Sequence, residues 1–215
     1  MGILVVQCPV TGFDKNFAYL IYHENTHDGY IVDPSGNTGV IHEAVRAHDV
    51  EVVGIILTHT HADHFDGLDE VLTHYPVPVF VHTLGREKIP THMVLPLHDG
   101  EVLKLRNRAI NIIHTPGHIA DAICLYISAT AAADDIPKVI TGDTLFVGGC
   151  GRTNATGVKD LYESLAELKA LPPETVVYPG HDYGETPTST IGEEVENNKY
   201  YTVKNITEFQ QLRLG

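Results

Sequence analysis

The chain lacks tryptophan and is poor in methionine, cysteine and positive charge: 2 Met, 3 Cys, and 14 Lys plus Arg against 28 Asp plus Glu in 215 residues. Each shortage excludes something. Cys8, Cys124 and Cys150 are odd in number and form no CxxC pair, so they do not read as a disulfide framework. Three reduced thiols in a cytoplasmic protein are the expectation. The formal charge of −14 repels phosphate backbones and anionic lipid headgroups, and no basic cluster offsets it. Neither nucleic acid nor a membrane is therefore an expected partner. No apolar run approaches the about 20 residues of a membrane span, and the short run at 3–6 lacks the basic flank and cleavage site of a secretory signal. The acidity does not exclude an anionic small substrate, because a buried metal site overrides the global field locally.

What is present suits a soluble globular protein, with 43% apolar and 20% charged residues. The length fits one domain over 1–215. Segments 3–7, 17–23 and 30–32 are rich in β-branched and aromatic residues and predict strands, with a turn over 11–16 and a stop at Asp33-Pro34. Asn37 or Thr38 can cap a helix whose Ile41, Ala44, Val45 and His48 share a face. Residues 52–57 form a continuous apolar run, as in a strand buried on both sides. Further strands are predicted over 78–82, 102–105, 109–114, 123–128, 138–141 and 175–178, and helices over 67–75, 158–171 and 189–199. Pro172-Pro173 stops the second of these helices. Segment 129–135 reads as a flexible loop. Two sheets face to face with helices outside would bury every apolar run.

The strongest chemical signal is Thr58-His-Thr-His-Ala-Asp-His-Phe-Asp-Gly67, which places His59, His61, Asp63 and His64 directly after a buried strand. Buried imidazoles and carboxylates need partners, and a divalent cation satisfies all of them. Three other strand ends share the grammar of a glycine and then a ligand-type residue: His118 after Thr115-Pro-Gly, Asp143 in Thr141-Gly-Asp-Thr, and His181 after Tyr178-Pro-Gly. The other nine of the 14 histidines lie outside these motifs and read as surface or satisfied residues. A structural site is normally closed by four ligands, so seven candidates suit two ions with positions left open for water.

HxHxDH at 59–64, TPGH ending at His118, GDTLFVGGCGR over 142–152 and PGHDYG over 179–184 together resemble the metallo-β-lactamase superfamily, in its glyoxalase II-like branch. The resemblance covers nearly the whole chain. It implies an α+β fold, a four-layer αβ/βα sandwich with metals at one edge of the sheets. By that resemblance His59, His61 and His118 would hold one ion, Asp63, His64 and His181 a second, and Asp143 would bridge them. Zinc is the first expectation for both ions; iron and manganese suit the same donors. Such a pair lowers the pKa of a shared water and polarises a carbonyl, with Asp63 orienting the nucleophile. A thiolate leaving group needs little protonation.

Particular residues narrow the expectation. Metallo-β-lactamases proper mostly carry Cys where Asp143 stands, and diiron flavoproteins an acid where His61 stands. Nucleases of the superfamily usually carry a basic surface and an added domain. The glyoxalase II resemblance implies hydrolysis of an S-acylglutathione-like thioester, with Arg152 and Tyr183 contacting the substrate. Arg152 equally suits a structural pairing with loop carboxylates. The resemblance departs at Thr153-Asn154, where aromatic residues are usual, and in a helical C-terminal extension that is largely missing. A persulfide dioxygenase with one iron on His59, His118 and Asp143 is the alternative; a lactonase is a further one. A binding scaffold without turnover would have little use for open coordination positions.

Overall fold

The computed structural model describes residues 2–11, 14–132 and 135–215. Phe13 and Gly12 of the expected 11–16 turn, and Ala133 and Asp134 of the expected 129–135 loop, lie outside them.

The first half of the chain builds one six-stranded sheet. Its strands are β1 (Ile3–Pro9), β2 (Phe17–His23), β3 (Asp28–Val32), β4 (Glu51–Ile56), β5 (Val79–His82) and β6 (Val94–Leu97), in that spatial order. The first three pair antiparallel and β3 to β6 pair parallel. Helices α1 (Thr38–Ala47) and α2 (Leu68–His74) occupy the parallel crossovers. Asn37, rather than Thr38, caps α1, its side chain accepting from Gly39 N at 3.1 Å.

The second half builds the facing sheet. It contains β7 (Val102–Leu105), β8 (Arg108–His114), β9 (Ile123–Ile127) and β10 (Lys138–Gly142). A two-stranded ribbon follows, β11 (Leu145–Phe146) with β12 (Gly149–Cys150), then helix α3 (Val158–Lys169). β13 (Val176–Pro179), β14 (Ser189–Thr190), α4 (Ile191–Asn197) and α5 (Ile206–Leu214) complete the chain. The sheet order is β14-β13-β10-β9-β8-β7.

Three apolar layers separate these elements. Alternation along β2 shows why: Phe17, Tyr19 and Ile21 face the other sheet, while Ala18, Leu20 and Tyr22 face α1 and α2, and all six are buried. A one-residue slip would exchange the two sets. Between the sheets these side chains meet Ile110, Ile112, Ile123, Leu125 and Ile140. Outside the second sheet, Leu161, Leu165 and Leu168 of α3 pack on Val139, Val177 and Phe209. Full burial of each aliphatic side chain contributes about 1.5–3 kcal/mol before entropy is counted. The result is the helix–sheet–sheet–helix sandwich expected from the sequence.

The departures are local. β6 contains Pro96 and lies at a sheet edge, where a missing N–H is tolerated. The helix expected over 189–199 starts later, because Ser189 and Thr190 pair with β13 before the Thr190–Glu193 capping box opens α4. α5 was not expected: it buries Phe209 and leaves its other residues half-buried or exposed, so no periodic stripe marks it. Cys8, Cys124 and Cys150 are free and buried; burial pushes their thiols up, to about 11 for Cys8 and about 12 for the other two. Among the described residues, no helix is long and apolar enough to cross a membrane.

Candidate metal centre

Four strands of the two sheets, β4, β8, β10 and β13, deliver the candidate residues from their C-terminal ends. His59 and His61 follow β4, and a single 3-10 turn over Ala62–His64 brings Asp63 and His64 around. His118 follows β8, Asp143 follows β10 and His181 follows β13. Gly117 holds a φ of +131°, and a Cβ there would stand 2.2 Å from the Leu161 nitrogen, so the close approach of α3 to the His118 loop requires glycine. Gly180 has a different reason: its Cβ would lie 2.4 Å from Asp143 Oδ1.

All seven residues converge. His61 Nδ1 lies 3.1 Å from His59 Nε2 and 2.9 Å from His118 Nε2. His64 Nε2 lies 3.3 Å from His181 Nε2 and 3.8 Å from Asp63 Oδ2. Asp143 stands between the groups, with Oδ2 3.4 Å from His118 Nε2 and 3.3 Å from His181 Nε2, and Oδ1 3.4 Å from His64 Nε2. Donor atoms of three sets, His59–His61–His118, His59–His64–Asp143 and Asp63–His64–His181, lie within 4.8 Å of one another.

The opposite ring nitrogens fix which atoms face inward. His118 Nδ1 donates to the Arg152 carbonyl at 2.8 Å, and His181 Nδ1 to the Asp14 carbonyl at 2.8 Å. His64 Nδ1 donates to Asp33 Oδ2 at 3.0 Å. Each bond leaves Nε2 as the ring atom turned toward its neighbours. Nitrogen lone pairs aimed at one another repel unless a cation or proton lies between them. Asp143 Oδ1 is buried and has no hydrogen-bond partner. An orphaned buried carboxylate oxygen among imidazoles fits a divalent cation. The donors are nitrogen and oxygen only; Cys150 lines the same cavity but belongs to none of the donor sets.

Without a metal, charge is shared within the cluster. Burial and the neighbouring imidazoles hold His59 well below the ordinary histidine range and lower His61 as well. Burial also works against the charged form of His64, but Asp143 and Asp33 overcome it and push the imidazole up to about 10. Burial opposes ionisation of Asp143 too, and the neighbouring His181 and His64 imidazoles nevertheless hold its carboxyl well below the usual range.

The family model of the metallo-beta-lactamase superfamily matches residues 11–181. The chain belongs to that superfamily. Within it the chain is glyoxalase II-like, as similarity to named relatives shows. It is 34% identical to the hydroxyacylglutathione hydrolase of Hahella chejuensis over 81% of this chain and 65% of that protein. It is 29% identical to a probable polyketide biosynthesis zinc-dependent hydrolase, BaeB, of Bacillus velezensis, over 93% of this chain and 87% of that one. Among solved structures, ETHE1 from Myxococcus xanthus superposes with a TM-score of 0.83 at 27% identity, covering 99% of this chain and 90% of that one. The chain spans just under two thirds of the Hahella relative's length. Metal binding is a property of this superfamily, and the His/Asp cluster supplies the donors for it.

The cluster opens into a cavity of about 570 Å³. Arg152 and Tyr183, the expected substrate contacts, both line it. The Arg152 guanidinium is exposed, and among the described residues no carboxylate pairs with it, so the structural alternative finds no support. Tyr183 stacks on His181, ring centroids 4.7 Å apart and 2° from parallel, and its hydroxyl donates to Asp14. Burial and that carboxylate push the phenol up, so it stays protonated near neutrality.

Several positioning residues were not singled out as site residues from the sequence. Asp33 is one: it is 1% exposed, and it accepts from Thr58 N at 2.7 Å, Thr58 Oγ1 at 2.6 Å and His64 Nδ1. Asn16 is another, its amide donating to Asp63 Oδ2 at 3.1 Å and to the Asp63 carbonyl at 3.0 Å. Asp14, Lys199, Tyr200 and Arg213 also reach the cavity. Asp33-Pro34 ending a strand was a usable hint, since a carboxylate there can cap the next strand's turn. Asn16 and Asp14 sit in a loop whose partners lie about 50 and 170 residues away, which no local pattern reports.

Replacing Asp33 by Asn should keep the shape but remove the charge that orients His64. Metal titration should then show affinity at the Asp63–His64–His181 position reduced by about 10–100-fold, with the His59–His61–His118 position less affected; equal affinities would refute this role. Asp143 and Asp33 raise the His64 imidazole, and Asp143 raises His181 as well, so loading with metal should displace protons from the cluster. Calorimetry in buffers of differing ionisation enthalpy should report proton release on loading near pH 7. Apparent affinity should rise with pH through the neutral range. A binding enthalpy independent of buffer would contradict this.

Proposed function

We propose that the chain is a metal-dependent thioester hydrolase that cleaves an S-acylglutathione-like acyl-thiol, with two divalent ions held in the arrangement expected from the sequence. The observation that carries the reading is the place of Asp143: its two oxygens face both imidazole groups at 3.3–3.4 Å from deep within the protein. His59, His61 and His118 would hold one ion, Asp63, His64 and His181 the other, with Asp143 shared. Paired cations supply a nucleophilic water at neutral pH and stabilise a developing oxyanion. Zinc is the proposed metal, in keeping with the relative named a zinc-dependent hydrolase.

The residues of this chain supply the rest. Asn16 fixes Asp63 at the cavity, where its carboxylate is placed to accept a proton and to orient the attacking group. Asp33 holds His64 and Thr58 in one rigid turn, so the donors need not reorganise when charge develops. Arg152 offers an exposed guanidinium to an anionic thiol carrier, and Tyr183 lines the same cavity. Phe146 packs edge-on against Tyr183 and His181, which keeps that wall apolar. A single functional domain over 1–215 and a cytoplasmic location, consistent with three protonated thiols, complete the reading.

Purified protein loaded with zinc should contain about two ions per chain and hydrolyse an acyl-glutathione. Asp143→Ala should lower occupancy of both positions. One tightly bound iron per chain, with oxygen consumed on addition of a persulfide, would replace this reading with the dioxygenase. Arg152→Ala should raise KM for the anionic thioester by about tenfold with kcat little changed; an unchanged KM would remove Arg152 from substrate binding.

A further inference from the structure

The tripeptide His59-Thr60-His61 supplies two of the three imidazoles gathered with His118. The hydroxyl of its middle residue bonds to none of the donors in the cluster. Thr60 Oγ1 donates instead to Asp121 Oδ2 and accepts from Lys88 Nζ at 2.9 Å. Asp121 lies three residues after His118 and is 1% exposed. We propose that Asp121 is a positioning residue for the His59–His61–His118 set, acting through Thr60 as a strut separate from Asp33. This inference rests on the assignment of those three imidazoles to one ion under the proposed function, and not on the thioesterase activity itself.

The strut joins the two loops that carry the set. Backbone bonds tie those loops at their base: Ile123 N donates to the Thr58 carbonyl at 2.8 Å, and Thr115 N to the Ala122 carbonyl at 2.8 Å. The Thr60–Asp121 bond carries the tie to the residue between His59 and His61. His61 depends on it most. Its Nδ1 faces His59 and His118, and among the described residues its Nε2 has no hydrogen-bond partner. The Nδ1 atoms of His64, His118 and His181, by contrast, are each held by a protein oxygen. The His61 ring is therefore placed by its backbone, and Thr60 anchors that backbone.

The surroundings are shaped to keep the pair together. A 3-10 segment over Thr83–Lys88 follows β5 and closes on it. A Cβ at Gly85 would collide with Asp121 Oδ2 and stand 2.7 Å from Thr60 Cγ2, so this approach requires glycine. Lys88, at the end of the same segment, brings its ammonium to 3.6 Å from Asp121 Oδ2 while half of its side chain stays exposed. Asp121 Oδ1 is buried and has no hydrogen-bond partner. Burying a carboxylate to hold one hydroxyl is costly. A charged acceptor makes a hydrogen bond roughly twice as strong as a neutral one, and that strength is spent beside donors that must not shift. Thr60, Lys88 and Asp121 do not line the cavity, so the strut acts on the imidazoles and not on a substrate.

The test is zinc titration of the metal-free chain, with the two binding steps assigned by His118→Ala and His181→Ala. Thr60→Val keeps the shape and removes the hydroxyl. It should weaken the His59–His61–His118 position by about 10–100-fold and leave the other within about twofold. Asp121→Ala should give the same pattern. Thr60→Ser restores the hydroxyl and should return the affinity close to that of wild type. Lys88→Met, a change at the surface, should cost about threefold at the same position. Asp33→Asn weakens the opposite position, so the two struts should give crossed patterns. Thermal unfolding of each metal-free variant is measured alongside. A merely structural role would lower stability and weaken both positions alike, or weaken neither; either result overturns the strut, as does Thr60→Ser binding as weakly as Thr60→Val. If Asp121→Ala does not fold, the two Thr60 variants decide. If wild type takes up a single ion, the two-metal reading fails; loss of that ion's affinity in Thr60→Val then supports the strut, and unchanged affinity overturns it.

Discussion

A buried carboxylate surrounded by imidazoles is the constraint on which the molecule depends. Asp143 is 7% exposed and faces His64, His118 and His181 at 3.3–3.4 Å. Such a group is costly to bury alone, because it leaves water for a medium that cannot solvate its charge. The protein answers with polarity from every side, and the surrounding backbone bends to permit it. Gly180 approaches so closely that a methyl group would collide with Oδ1. The rest of the sandwich can be regarded as the rigid frame that holds this arrangement where two sheets end together.

That frame works through hydrogen bonds to residues outside the donor cluster. Asp33 grips the His64 ring and both polar groups of Thr58, so a strand end, a turn and a ring move as one body. Backbone carbonyls of Asp14 and Arg152 select the tautomers of His181 and His118. Geometry alone therefore decides which nitrogen is offered to a cation, before pH or metal choice enters. The cavity is lined by imidazoles and carboxylates together with Arg152, Lys199 and Arg213.

α4 and α5 pack on α3 through Tyr200, Tyr201 and Phe209, and Lys199 and Arg213 of this segment line the cavity. The segment is weakly amphipathic, and its burial depends on a few aromatic side chains rather than on a stripe, which is why its helix was invisible to periodicity.

The sequence by itself determined the chemistry and the layers. Alternation in 17–23 and the apolar run at 52–57 pointed to strands covered on both faces, and HxHxDH after such a run pointed to a cation, because one cation satisfies several imidazoles and a carboxylate gathered in one place. These signals are local in the chain, so they can be read there. Tertiary structure alone decided which atoms meet. Asn16 reaches Asp63, Asp14 reaches His181, Asp33 reaches His64, and Arg213 reaches Gly151, each across a long stretch of chain. Such pairings are set by sheet order and register, which are global properties of the packed core, and a single polar residue in a loop carries no record of the partner it will find.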